Sequence, residues 1–293
     1  MTTNRIKTDW PPRGTHIILI LVLLALIGFA LYANTFKVPF TFDDKPNISE
    51  NPYIRMTTIT PEQIARIHHS YANNRPLANF TIALNYYFHQ YQLPGYHIVN
   101  IIIHIFVALL VFLVTQQTLH LCRVEKPFIV SLLTTLLWIT HPLHTQSVTY
   151  IVQRMTSLAT MFFLLALFFY IKARKQQQKP TAYPIKTIFL FICVIVSGLL
   201  GLASKEIVIT LPFVLFAYEW YFFQNLDPAW LKKRIKWIII AMALPLSMAF
   251  IYINDDPVGS ILSTYDHRDF TLVERLLTQP SIVIYYISLL FVP

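Results

Sequence analysis

Of 293 residues, 55% are hydrophobic and only 13% charged, with a formal net charge of +9. The apolar residues come in unbroken blocks of roughly fifteen to twenty, which excludes an ordinary soluble domain and reads as an all-α, polytopic membrane bundle. The basic residues lie between these blocks rather than along one soluble face, which excludes nucleic acid as a partner.

A helix rises about 1.5 Å per residue, so roughly 20 apolar residues cross a hydrocarbon core of about 30 Å. Spans are expected near 16–33, 96–116, 127–141, 154–171, 186–203, 206–223, 237–253 and 280–293, seven to eight in all. The third is short. The last breaks off at ISLLFVP, so residues 1–293 are expected to form one transmembrane domain, the N-terminal part of a longer chain.

Arg5 to Arg13 followed by an apolar block looks like a signal peptide, and LYA at 31–33 offers a cleavage site. The length of the block and the spans that follow favour an uncleaved anchor. With the N-terminus inside, the inner segments carry 14 Lys and Arg against 4 Asp and Glu, and the outer segments 9 against 10, together accounting for all 23 and 14. KARKQQQK (172–179) and LKKRIK (231–236) dominate the inner side. The pattern is positive-inside and puts residues 34–95, 142–153, the turn at 204–205 and 254–279 outside. Cys122 falls inside and Cys193 within a span, so neither a disulfide framework nor a zinc-type spacing is available.

The outer loop, 34–95, is too long for a bare connector and is expected to fold onto the membrane surface. It opens with PFTFDD, where Asp43 and Asp44 follow Phe40 and Phe42. Two adjacent acids are ordinarily just solvated. Aromatic neighbours and a nearby membrane would desolvate one and move it towards the range of a general base. TPEQIARIHHS (60–70) starts with Thr60 as N-cap, Pro61 at the first helical position and Gln63 three residues on, which reads as a capping box. Leu77, Phe80, Leu84, Tyr87, Phe88 and Tyr91 then recur at helical spacing, an interfacial helix expected to end at LPG, 93–95.

In the second span His97, Asn100 and His104 share one stripe, facing either a cavity or an interhelical hydrogen bond. HPLHTQSVTYIVQRM (141–155) crowds His141, His144 and Gln146 into a turn and sets Arg154 where the next apolar run begins, as a snorkelling anchor or a ligand for an anion. SKE (204–206) makes a charged hinge. Lys205 and Glu206 either pair there or leave the lysine for a phosphate. Pro212 and Pro245 fall inside expected spans, where proline kinks a helix.

Acids, histidines and isolated cations thus gather on one face of a membrane that can supply a lipid substrate. One reaction uses all of them. A carboxylate takes a proton from an acceptor hydroxyl while cations stabilise a phosphate leaving group, which is glycosyl transfer from a polyprenyl-phosphate sugar.

The blocks YANTFKVPFTFDD, NRPLANFTIALNYY, GYHIVNIIIH, HPLHTQSVTYIVQRMTSLA and SKEIVITLP, in that order, resemble the membrane half of bacterial relatives of the transmembrane and tetratricopeptide repeat-containing O-mannosyltransferases, in the GT-C superfamily. The resemblance implies a catalytic acid at Asp43 or Asp44 and a lipid-phosphate sugar donor. A protein or glycan acceptor is expected, and the positive-inside pattern turns the acids towards the periplasmic face of a bacterial inner membrane or a topologically equivalent lumen. Arg75, His97, His141, His144, Gln146, Arg154, Lys205 and Glu206 are the expected substrate-binding residues. No cofactor is required by this scheme, and the two turn histidines leave a divalent cation open. The chain departs from the family at Gln146, where the family tends to carry Glu. The family usually continues into further spans and soluble repeats, whereas this sequence stops at Pro293. The remaining alternatives are an oligosaccharyltransferase, a lipid-linked sugar flippase or transporter, and a non-catalytic scaffold subunit of a larger membrane complex.

Overall fold

The computed structural model describes residues 14–179, 183–252 and 268–291, with the isolated positions 259, 262 and 265. Residues 1–13, 180–182, most of 253–267 and the last two residues lie outside the described ones. The chain divides into two compact units, residues 1–208 and 209–293. Among the described residues the structure is an all-α bundle without strands.

In the first unit α1 (Gly14–Tyr32) is the first long apolar helix. Its end is marked by Thr35, whose hydroxyl donates to the Tyr32 carbonyl at 2.7 Å. Two short helices follow in the loop, α2 (Pro61–Arg66) and α3 (Pro76–His89). The long α4 (Leu93–Leu121) and the shorter α5 (Pro127–Thr140) come next. The turn after α5 holds the five-residue α6 (Thr145–Thr149), and α7 (Arg154–Gln177) and α8 (Pro184–Leu202) complete the unit. Helices α2, α3, α4, α5 and α8 each carry proline in their first two positions, where a missing N–H costs nothing because the first turn has no acceptor for it.

Helix α4 is central, packed against α1, α5 and α7, while α8 packs on α7. Gly28 sets the approach of α1, since a Cβ there would stand 2.9 Å from Cγ1 of Ile105 on α4. One buried cluster joins Leu24, Ile101, Phe112 and Ile139 of α1, α4 and α5. The other joins Ile48, Ile54 and Met56 of the loop to Ile82 of α3, Tyr96 of α4 and Met155 of α7. The loop therefore has a core of its own against the bundle. Full burial of Ile48 and Ile54 stabilises that seat by about 1.5–3 kcal/mol each.

In the second unit α9 (Leu211–Tyr218) leads through a π-type turn at Glu219–Phe223 to α10 (Pro228–Tyr252), and α11 (Leu272–Phe291) follows. Asp227 caps α10 by accepting the N–H groups of Ala229 and Trp230. Thr271 and Glu274 form a reciprocal cap on α11.

Several sequence expectations change in detail. Among the described residues five helices are long and apolar enough to cross a membrane, or six if the pair 127–140 and 142–149, bent by 53°, counts as one. Helices α10 and α11 stand where the last two of the seven to eight spans were expected. LPG does not end the interfacial helix. Helix α3 stops at His89, with Gln90 at φ 49°, and LPG forms the first turn of α4. Pro212 lies inside the candidate span 206–223, where the 3₁₀ helix Glu206–Thr210 passes into the first turn of α9. The cap at Thr60 is present at 3.4 Å, while Gln63 reaches back to the N–H of Thr57 at 2.9 Å.

Candidate functional site

The two acids of the PFTFDD turn lie in opposite environments. Asp44 is 1% exposed; its Oδ1 accepts the backbone N–H of Val152 at 2.7 Å and its Oδ2 that of Thr41 at 3.0 Å. Burial pushes its carboxyl above the usual range, and the two N–H groups work against that rise. Asp43 is exposed, and its backbone N–H donates to the Tyr150 hydroxyl at 2.7 Å. Burial pushes the Tyr150 hydroxyl up; the Asp43 N–H works against the rise, and the charges of Asp43 and Asp44 and a side-chain hydrogen bond to Asp43 add to it. Phe42, just before them, sits at φ 44° and is 83% exposed, a strained conformation for a bulky residue. One acid is thus a structural pin and the other an exposed carboxylate beside the Tyr150 hydroxyl.

The segment that holds the acids also holds the cations. Val152 and Thr156 are about one helical turn apart, roughly 6 Å of rise. Thr156 Oγ1 accepts from Lys205 Nζ at 2.8 Å and donates to Gln153 Oε1 at 2.7 Å. Burial first, and the Arg75 charge second, lower the Lys205 pKa below the ordinary lysine range. Arg75 is spoken for. Its Nη2 and Nε donate to the two carboxylate oxygens of Glu206 at 2.8 and 3.1 Å, and its Nη1 faces Sδ of Met155. Glu206 therefore pairs with Arg75 from the loop rather than with its neighbour Lys205.

Arg154 is inside the bundle, 0% exposed, and neither snorkels nor opens to an anion. Its Nε donates to Asn100 Oδ1 at 2.8 Å, Nη1 to the Thr81 carbonyl at 3.1 Å and Nη2 to the Tyr96 carbonyl at 3.0 Å, with the guanidinium over the Tyr96 ring. Asn100 in turn donates to the carbonyls of Val148 and Ile151. The pair ties α3, α4 and α7 together beneath the loop.

His97, fully buried, bonds through Nε2 to the Val38 carbonyl at 3.0 Å and anchors the start of the loop. His104 stacks on Trp138, and the His144 ring lies against the other two at 4.2 Å from Trp138 and 5.6 Å from His104. These three, with Ser147, Thr156 and Ser157, line a cavity of about 220 Å³. His141 takes no place in that lining; its Nδ1 accepts from the Leu143 N–H at 3.3 Å. Gln146 is exposed on α6. Among the described residues no three of His, Cys, Asp and Glu gather as a metal would require.

Comparison with known proteins bears on what this arrangement serves. A protein O-mannosyl-transferase of Caenorhabditis elegans is 30% identical over 171 residues, which is 56% of this chain and 24% of that one. Protein O-mannosyl-transferase TMTC3 of Mus musculus is 31% identical over 180 residues, 57% of this chain and 18% of its own. The Drosophila melanogaster Tmtc3 is 29% identical over 222 residues, 67% and 23% respectively. The chain is related to these proteins. It spans about a fifth to a quarter of the length of the curated relatives it matches. No family model and no solved structure matches it.

Of the residues singled out in the sequence, the structure brings Asp43, Asp44, Arg75, Lys205 and Glu206 onto the ends of one short segment, 150–156. It draws Arg154 and His97 into the interior as braces. Three residues went unnoticed in the sequence: Tyr150 and Val152, which hold the acids, and Thr156, which holds the lysine. Val152 acts through its backbone and left no side-chain signal. Tyr150 and Thr156 lie within a block already recognised for its histidines and arginine.

Proposed function

We propose that this chain is the membrane part of a glycosyltransferase that moves a sugar from a polyprenyl-phosphate carrier to a hydroxyl group of a protein. The observation that carries the reading is the division of labour in the acid pair. Asp44 is consumed by two backbone N–H groups, whereas Asp43 is presented to solvent on a turn fixed by Tyr150 and Val152. Asp43 removes the proton from the acceptor hydroxyl. The freed oxygen attacks the anomeric carbon, and the bond from that carbon to the phosphate oxygen breaks, its electron pair leaving with the polyprenyl phosphate.

Lys205 is the cation best placed for the phosphate. An ammonium has three donors and Thr156 takes one of them, while the Arg75 fork is closed on Glu206. The cavity with Ser147, Thr156 and Ser157 on its wall offers hydroxyl partners suited to a monosaccharide. The relatives are named protein O-mannosyl-transferases, so mannose is the first sugar to try and a Ser or Thr peptide the first acceptor. The GT-C arrangement, the outer-face location and the bacterial inner membrane belong to the same proposal and rest on the lysine and arginine distribution and the sequence blocks. No step is routed through a metal, so a chelator is expected to leave the rate unchanged.

The test is saturable binding of a short-chain prenyl-phosphate mannose to the purified chain in detergent. Binding weakened by Lys205→Ala and retained by Asp43→Asn supports the reading. An absence of saturable binding by the wild type would move the chain to a scaffold role.

A further inference from the structure

At the far end of the first unit, away from the acids, the helices enclose a second and larger cavity. It is about 540 Å³ and lies among the ends of α1, α4, α7 and α8. Gln117 on its wall is 17 residues beyond Asn100 along α4, roughly 25 Å of helix. Lys172, Lys175, Lys179 and Lys186 all line it, and among the described residues no acidic one does. Ile17, Leu113, Phe168 and Leu190 supply an apolar wall.

The site is built rather than merely charged. Gln117 is 2% exposed, and its Oε1 accepts from Lys175 Nζ at 2.8 Å, which fixes that ammonium at the wall. Lys172 Nζ lies 4.8 Å from the centre of the Phe168 ring one turn earlier on α7, which holds a second ammonium beside the apolar wall. Lys186 comes from the first turn of α8, so the charge is contributed by two helices. Four like charges around one cavity repel one another, and an anion between them relieves that repulsion. A free anion would use the lysines alone. An anion carrying hydrocarbon would also use Ile17, Leu113 and Leu190, which face the same space.

We propose that this cavity binds the phosphate headgroup of an anionic membrane lipid, with the first part of its acyl chain against the apolar wall. Basic pockets between membrane helices on the side carrying the basic loops are suited to such headgroups. The site lies outside the transfer machinery and would seat the end of the bundle in its leaflet.

The test uses the full chain, purified in zwitterionic detergent, and fluorescent phosphatidylglycerol as probe, with phosphatidylcholine and inorganic phosphate as separate arms. Saturable binding of phosphatidylglycerol is expected, with no binding of phosphatidylcholine and no displacement by an equal concentration of inorganic phosphate. Lys175→Gln and Lys186→Gln should each weaken it about fivefold. Lys232→Gln, outside the cavity, should leave it unchanged. Lys186 is exposed, so its variant tests the site even if Lys175→Gln disturbs Gln117 and the fold. Equal binding of both lipids would overturn the proposal, as would an equal loss in Lys232→Gln. Displacement by inorganic phosphate at equal concentration would overturn the lipid as the ligand.

Discussion

Val152 donates its backbone N–H to Oδ1 of Asp44 at 2.7 Å across a sequence separation of 108 residues. This bond and the one from Thr41 close the acid-bearing turn onto the start of the fourth apolar segment of the first unit. In Asp44→Asn one of the two N–H groups faces an amide NH₂ instead of an acceptor. An unsatisfied buried donor costs about 1–3 kcal/mol, so the melting temperature in detergent should fall. Asp43→Asn, at an exposed carboxylate, should melt like the wild type. The reverse order of the two melting temperatures would sink the assignment of pin and exposed acid.

Arg154 should behave as a brace. Arg154→Ala strands the acceptors of Asn100, Thr81 and Tyr96 in the interior and is expected to cost about 3 kcal/mol or more. Arg154→Lys should lie between, since one ammonium cannot reproduce the planar fork. Donor affinity, measured on the folded fraction, should be retained in both. A variant that melts normally and has lost donor affinity would return Arg154 to the phosphate.

Donor binding should carry the titration of Lys205. Burial and Arg75 lower its pKa, so the charged form holds the phosphate at neutral pH and is lost as pH rises through that lowered value. Affinity should therefore decline with rising pH before an ordinary lysine would titrate. Lys205→Arg stays charged and should remove the decline, and Lys205→Ala should weaken binding about ten- to a hundredfold. A wild-type affinity flat to the ordinary lysine range would place the phosphate elsewhere.

The side of the membrane can be read with single cysteines. Tyr71 is 79% exposed in the loop, and Gln177 is exposed at the end of α7. Cysteines at 71 and 177 should label from opposite sides of sealed vesicles. Labelling of both from one side would contradict the positive-inside reading.

The apolar blocks made the bundle legible, because a membrane helix must satisfy its backbone internally and therefore announces itself by composition. The loop helices were legible too, through Thr60, Pro61 and the spacing of Leu77 to Tyr91. Arg154 was misread because a charge at the start of an apolar run looks like a boundary; the acceptors that keep it inside are two carbonyls and one amide, on α3 and α4. The unequal roles of Asp43 and Asp44 were invisible for the same reason. Two identical side chains are told apart by backbone N–H groups that no residue type reveals. The lysine cavity was visible only as loop charge until four helix ends closed around it.

The most direct measurement is the rate of sugar transfer from prenyl-phosphate mannose to a Ser or Thr peptide by wild type and Asp43→Asn, each normalised to folded protein. Loss of the general base should lower turnover by a factor on the order of 10² to 10⁴, with donor affinity and melting temperature unchanged. Transfer by Asp43→Asn within about twofold of wild type would contradict the account.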